Sequence, residues 1–222
     1  MRKEQSLRRS RIAGKFLTYF FLIVGSVVMI FPFLWMILTS LKTLAESMQI
    51  PPTIFPAEPV FENFSYAVTS LPFTSLYINT LLLIFFRVLC AVVFSSMAGY
   101  AFAKLNFRFK NLLFALILVQ MMMPSQIFII PQYQILAKFS LTNSIFALVF
   151  PGLVSAFGTF FLRQAYMGIP KEIGEAAYLD GCTHWQTFIK VMAPLTGTSV
   201  AALTVFTAVF AYADLMWPLV VN

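Results

Sequence analysis

Charge is what this sequence has least of: 10% of its 222 residues are Asp, Glu, Lys or Arg, where an ordinary soluble domain carries about a quarter. With 60% hydrophobic residues and a mean hydropathy of +0.85, that scarcity excludes a soluble globular chain. Cysteine is scarce too. Cys90 lies in an apolar run and Cys182 in a polar loop, a spacing that builds neither a metal site nor a disulfide framework, so both read as free thiols. The lone histidine, His184, has no second histidine to share a metal with and reads as solvent-facing. No Gly-x-x-x-x-Gly-Lys-Ser/Thr phosphate loop occurs, since Gly14-Lys15 runs straight into Phe16 without an upstream glycine. Internal repeats and low-complexity tracts are also missing.

What is present is a set of long apolar runs. Five stand out, at about residues 16–38, 78–103, 112–131, 145–162 and 195–217. Each is long enough to cross a hydrocarbon core of ~30 Å at about 1.5 Å per residue. The expected fold class is therefore all-α, a polytopic membrane helix bundle of five spans. The first run is preceded by Arg2, Lys3, Arg8, Arg9, Arg11 and Lys15. It is too long for a signal peptide and no small-residue cleavage site follows it; Arg8-Arg9 reads as part of a basic anchor, not as a twin-arginine signal.

The net charge of +7 is explained by its distribution, without nucleic acid. With the N-terminus in the cytoplasm, the six residues just named fall inside together with Lys104, Arg108, Lys110, Arg163, Lys171 and Lys190, and only Lys42 and Lys138 fall outside. That asymmetry satisfies the positive-inside rule and predicts a multi-pass protein of the cell (inner) membrane. Residues 1–15 then form a basic cytoplasmic N-terminus and residues 16–222 the transmembrane domain. The outer loop between the first two spans contains Pro51, Pro52, Pro56 and Pro59 and is expected to be extended. Asn63-Phe64-Ser65 matches a glycosylation sequon, a triplet too common to weigh.

The cytoplasmic loop at 163–194 carries the densest local signal. Pro170 suits a first helical position, Glu172 complements the positive helix end, and Gly181 suits a left-handed helix stop. Thr183 and Gln186 then have the spacing of a capping box. The loop thus reads as helix, sharp turn, helix. Ile173, Ala176, Ala177 and Asp180 recur at i, i+3, i+4, i+7 along the first helix, a face suited to docking or simply to an amphipathic surface.

Glu175-Ala176-Ala177, Asp180-Gly181, Ile189 and Pro194-Leu195 resemble the EAA loop of permease subunits of binding-protein-dependent ABC importers. Ala193 stands where that family usually has Leu before the proline. Ser40-Leu41-Lys42-Thr43, Ala98 to Lys104, Met121 to Pro124, Phe161 to Gln164 and Leu215 to Leu219 extend the similarity to the maltose-type carbohydrate permeases along nearly the whole chain. The family's usual Trp-Asn before the last stretch is Tyr212-Ala213 here.

The resemblance implies half of a translocation pathway for a sugar or oligosaccharide, with another solute such as a phosphorylated polyol as the alternative. It implies a second homologous permease subunit, a dimer of ATPases holding ATP and Mg, an extracellular solute-binding protein and surrounding lipid. The chain itself is then not an enzyme and holds no cofactor, metal or nucleic acid. The EAA helix is the coupling helix, with Glu175, Ala176, Ala177, Asp180, Gly181 and Pro194 as the residues that meet the ATPase. Members usually have a sixth span and a cytoplasmic C-terminus, whereas here the charge asymmetry predicts that the fifth run ends with Asn222 facing outward.

Polar groups inside the runs are the pathway candidates, because they are costly in lipid. Gln120 and Gln126 flank Pro124, where the third run is expected to bend; inter-helix hydrogen bonding is the other reading. Tyr212 and Trp217 suit either a sugar ring or an aromatic belt. Arg87 and Asp214, the two embedded charges, differ in depth by about 4 Å at 1.5 Å per residue and are expected to pair. The alternatives are an Arg87 that binds an anionic substrate and an Asp214 that reaches outer-face water. A secondary transporter would need repeats or a charged relay, and an intramembrane hydrolase a metal-ligand or Ser/His pair at depth.

Overall fold

The computed structural model describes residues 2–221, with side chains for residues 14, 15 and 17–221. The side chains of Arg2, Lys3, Arg8, Arg9 and Arg11, and the chain end at Asn222, lie outside the described residues. Two compact units divide the chain, Met1–Phe73 and Thr74–Asn222.

The first unit is built on α1 (Arg2–Ser40), whose stretch Leu17–Ser40 contains an 18-residue window with a mean hydropathy of 2.6. After it the chain makes α2 (Leu44–Ser47) and α3 (Glu62–Ser70). The proline-rich loop after α1 is therefore not extended throughout: the prolines keep residues 48–60 non-helical, while Thr43 and the proline-free stretch after Phe61 permit the flanking helices. Lys42, only 5% exposed, donates to the Thr53 carbonyl and lies 5.0 Å from the Trp35 ring centre. Asn63 Nδ2 donates to the carbonyls of Ser40 and Lys42 at 3.0 and 2.9 Å. The loop is thus stitched by its own polar side chains, which satisfies backbone groups that no helix or sheet would.

The second unit starts with α4 (Phe73–Lys104), 32 residues without proline. Beyond it lie α5 (Lys110–Met122), α6 (Ile129–Lys138), α7 (Ile145–Val149) and α8 (Ala156–Met167). The segment at 163–194 supplies α9 (Lys171–Leu179), α10 (His184–Thr187) and α11 (Ala193–Leu195), and α12 (Gly197–Ala213) and α13 (Met216–Val221) follow. Among the described residues only α1 and α4 are long and apolar enough to cross a membrane alone; up to five spans result if each of three bent pairs counts as one.

The bend expected at Pro124 is present, and two further runs are bent as well. The third run turns by 101° between α5 and the segment Ser125–Lys138. Pro124 lacks an N–H and forces Met123 into an extended conformation (φ −86°, ψ 133°), so the helix ends there. The fourth run bends by 47° where Pro151 and Gly152 give way to a new helix capped by Ser155. The fifth bends by 76° at Thr196, after Pro194, and breaks again at Asp214.

Two hydrophobic clusters hold this unit, and both rest on α4. One gathers Leu83, Leu136, Ala147, Leu148, Val149, Trp217 and Val221. The other gathers Tyr100, Leu162, Tyr166, Phe188, Met192 and Leu203. Leu83 and Tyr100 are about 25 Å apart along α4 at 1.5 Å per residue. Between them a stripe of small residues, Ala91, Ser95 and Gly99, recurs every fourth position and is turned inward; Ala91 is 1% and Ser95 0% exposed. The stripe lets α8 approach closely, as small residues do in membrane helix pairs: a Cβ on Gly99 would stand 2.9 Å from the Arg163 nitrogen.

Candidate functional site

The helix–turn–helix comes first, because its geometry is set by neighbours in sequence. Pro170 stands at the N-cap of α9, one position earlier than its expected place inside the first turn, since its ψ of 145° is not helical. At the other end Gly181 adopts φ +81°. Its N–H bonds to the Tyr178 carbonyl and that of Cys182 to the Ala177 carbonyl, both at 3.0 Å. That pair of bonds is the Schellman arrangement, which needs a left-handed residue where Gly181 sits. Thr183 Oγ1 accepts from the Gln186 N–H at 3.3 Å, and Gln186 Oε1 accepts from the Thr183 N–H at 2.8 Å, completing the capping box.

The buried side of α9 differs from the i, i+3, i+4, i+7 set read in the sequence. Gly174 and Ala177 are buried and Ile173 is half-buried, whereas Ala176 and Asp180 are exposed. The reason is contact from below: Met192 Cε lies 3.1 Å from where a Gly174 Cβ would be. Glu175, Ala176 and Asp180 face outward, and Leu179 is 89% exposed. Ala177 is the residue of the Glu-Ala-Ala triplet that seats the helix on the protein's own body.

His184 is exposed yet not free in solvent: its Nδ1 is 2.6 Å from the Tyr178 hydroxyl, tying α9 to α10 across the turn. Phe188 and Met192, in a π-turn between α10 and α11, anchor the loop in the second hydrophobic cluster. Lys104 at the end of α4 donates to the Ile169 carbonyl at 2.6 Å. Pro194 is exposed and apart from α9, at the bend that leads into α12.

The second element is an open cleft of about 810 Å³ in the Thr74–Asn222 unit. Breaks in three runs meet at its wall: Met123 and Ser125, Pro151 and Ala156, and Asp214 with Leu215. Non-helical backbone at such depth in a membrane protein is tolerated where it lines a cavity. Arg87, Gln120, Gln126 and Asp214 all line the cleft. Arg87 Nη1 and Asp214 Oδ2 are 2.9 Å apart, with the arginine side chain 10% and the aspartate 27% exposed. Asp214 Oδ1 also accepts from the Trp217 N–H at 3.3 Å, capping α13. Among the described residues neither the Gln120 nor the Gln126 side-chain amide has a hydrogen-bond partner, so the cleft and not a neighbouring helix receives these amides.

The two aromatic residues part company. Tyr212 lies outside the cleft lining and is 74% exposed, which suits the belt and not the cleft. Trp217 borders the cleft, but at 3% exposure it is no belt residue, and it donates from Nε1 to the Ala147 carbonyl at 2.9 Å. The turn at Asp214 swings α13 inward and takes the indole with it.

Three contributors have no distinctive sequence signal. Gln132 and Ser125 line the cleft beside the two expected glutamines. Gly152 makes room for the arginine: a Cβ there would lie 2.7 Å from Arg87 Nε and 2.8 Å from its Cγ. Among the described residues no group of three His, Cys, Asp or Glu side chains is placed to hold a metal ion.

Comparison with known proteins agrees with this arrangement. The chain is 34% identical over 217 residues to the arabinooligosaccharides transport system permease protein AraQ of Halalkalibacterium halodurans, covering 96% of this chain and 77% of that one. It is 28% identical over 207 residues to the sn-glycerol-3-phosphate transport system permease protein UgpE of Yersinia enterocolitica, over 90% and 74% of the two chains. A bacterial ABC transporter involved in the import of the acidic polysaccharide alginate superposes with a TM-score of 0.82 at 22% identity, over 96% of this chain and 75% of that one, and so shares the fold. The family model for binding-protein-dependent transport system inner membrane components matches residues 91–222. The match takes in both the cleft-lining breaks and the α9–α10 turn, and the chain belongs to that family of membrane transport permeases.

Proposed function

We propose that the chain forms half of the translocation pathway of an ATP-driven importer for a sugar or oligosaccharide, and couples to a separate ATPase through the loop at 163–194. The single observation that carries the coupling role is α9 itself. It is braced from inside by Ala177 and Gly174, yet turns Glu175, Ala176, Leu179 and Asp180 outward. An apolar side chain as exposed as Leu179, beside a carboxylate on a rigid short helix, suits a groove on a partner.

On this reading ATP and Mg sit in a dimer of ATPases, the chain performs no chemistry of its own, and an extracellular binding protein delivers the solute. A second permease of the same family closes the pathway, and residues 1–15 lie in the cytoplasm ahead of a transmembrane domain at 16–222. ATP-driven closure of the partner moves the docked helix and rocks the bundle between two openings, a rigid-body switch with its differential contacts at α9. Gly181→Val tests the coupling. It places a β-branched residue at φ +81°, a strain of about 1–3 kcal/mol. Uptake in cells should fall at least about tenfold while the protein still inserts in the membrane; unchanged uptake with unchanged co-purification of the ATPase would sink the assignment.

A second reading for the solute, a phosphorylated polyol, is favoured by the relative named for sn-glycerol-3-phosphate. Competition between arabinotriose and glycerol 3-phosphate for uptake separates the two.

A further inference from the structure

Arg87 and Asp214 are the only charged side chains on the cleft wall among the described residues, and they are spent on each other at 2.9 Å. We propose that Asp214 sets the charge selectivity of this half of the pathway: by occupying the Arg87 guanidinium it keeps the cleft electrically neutral, admitting uncharged polyhydroxylated solutes and turning anions away. The inference rests on the importer reading and deepens it.

The guanidinium is held by the carboxylate on one side and packed on another. Nη1 points to Asp214 Oδ2, and Nε is buried without a partner. Gly152 packs against the stem so closely that a Cβ there would touch Nε, Cγ and Cδ. The arginine is 10% exposed and its partner 27%, so an incoming anion meets the carboxylate more readily than the cation. The Trp217 N–H holds the other carboxylate oxygen and keeps Asp214 in place.

The rest of the polar wall is neutral. Gln120, Gln126, Gln132 and Ser125 line the cleft, and their side chains have no hydrogen-bond partner among the described residues. Each amide offers donors and an acceptor, which matches hydroxyl groups and does not neutralise a phosphate or carboxylate. Removing the Asp214 charge would leave a buried, unpaired guanidinium, and such a charge draws in an anion.

Binding to the intact transporter tests this. The full chain, co-purified in nanodiscs with its partner permease and ATPase, is titrated with arabinotriose and with glycerol 3-phosphate. The wild type should bind the triose and exclude the phosphate. Asp214→Asn should gain about ten- to a hundredfold in affinity for glycerol 3-phosphate relative to arabinotriose, the worth of one charge-assisted hydrogen bond. Combining Asp214→Asn with Arg87→Gln should abolish the gain while restoring a matched neutral pair. A gain that persists without Arg87, or no gain in a folded Asp214→Asn complex, overturns the inference. Should Asp214→Asn fail to assemble, the wild type decides alone: binding glycerol 3-phosphate as tightly as arabinotriose overturns it, and exclusion of the phosphate supports it. A wild type that binds no triose counts against the sugar reading, and the anion arm still judges Asp214 separately.

Discussion

The angle between α9 and α10 is set by hydrogen bonds between partners no more than six residues apart, such as Tyr178 and His184 or Thr183 and Gln186. The cleft is pinned by partners 127 residues apart in Arg87 and Asp214 and 70 apart in Trp217 and Ala147. Both lie in the same compact unit, yet they fail differently. A local device loses one bond when a residue is changed, and its neighbours hold the backbone. A long-range device joins segments whose loop-closure entropy has already been spent in folding, so losing one partner strands the other in a low-dielectric wall.

The largest effect should come from Arg87→Leu, which leaves Asp214 without its cation. Truncating one member of a buried pair costs about 3–5 kcal/mol, and the 27% exposure of Asp214 puts this case toward the lower end. Thermal unfolding in detergent reads it. Arg87→Leu combined with Asp214→Leu should be better folded than either single variant. Additive losses would show that the pair does not act as a unit and would erase the contrast with the loop.

Gly152→Val should follow at about 1–3 kcal/mol, the usual cost of overpacking. Its new Cβ meets the arginine stem at 2.7–3.0 Å. The expected signature is rescue: in an Arg87→Ala background the same valine has space and its penalty should largely vanish. Equal penalties in both backgrounds would place the strain elsewhere.

Legibility in the sequence follows the same division. The end of α9 could be read because Gly181 and the Thr183–Gln186 box act through bonds to residues three to five positions away. The membrane class and the five apolar runs could be read from composition and length. Arg87 and Asp214 were recognisable because charges are rare at that depth. The bends were only partly visible. Pro124 announces its own, but the break at Asp214 has no proline at or before it, and it is held open in part by Trp217, whose indole reaches Ala147 only after folding. The i, i+3, i+4, i+7 face of α9 misled for a related reason. Periodicity gives a stripe, and which side of the stripe is buried depends on Met192, a residue of the neighbouring turn. Gly152 gives no local sign of its role, because what it accommodates is a side chain 65 positions earlier in the sequence.

On the loop side, Thr183→Ala removes the cap oxygen and should cost about 1 kcal/mol. The loss should be confined to α10: hydrogen exchange at Gln186 should quicken, while the detergent melting temperature stays close to wild type. A fall in global stability comparable to that of Gly152→Val would mean that the loop is not locally held.

The smallest effect is expected from Tyr178→Phe, and it tests locality most finely. The hydroxyl lies 2.6 Å from His184 Nδ1, and both side chains are exposed, so water can replace the lost bond at little cost. The rings meet edge to face with centres 5.1 Å apart, a contact that phenylalanine preserves. The net loss should therefore sit near the bottom of the usual range, at about 0.5 kcal/mol. Because Gly181 and the capping box still set the angle between α9 and α10, binding of the ATPase should be unchanged, and only the amides between Cys182 and Gln186 should exchange faster. If Tyr178→Phe instead released the ATPase, the angle would depend on this one side-chain bond, and the backbone bonds at Gly181 would not be what holds α9 in its docking pose.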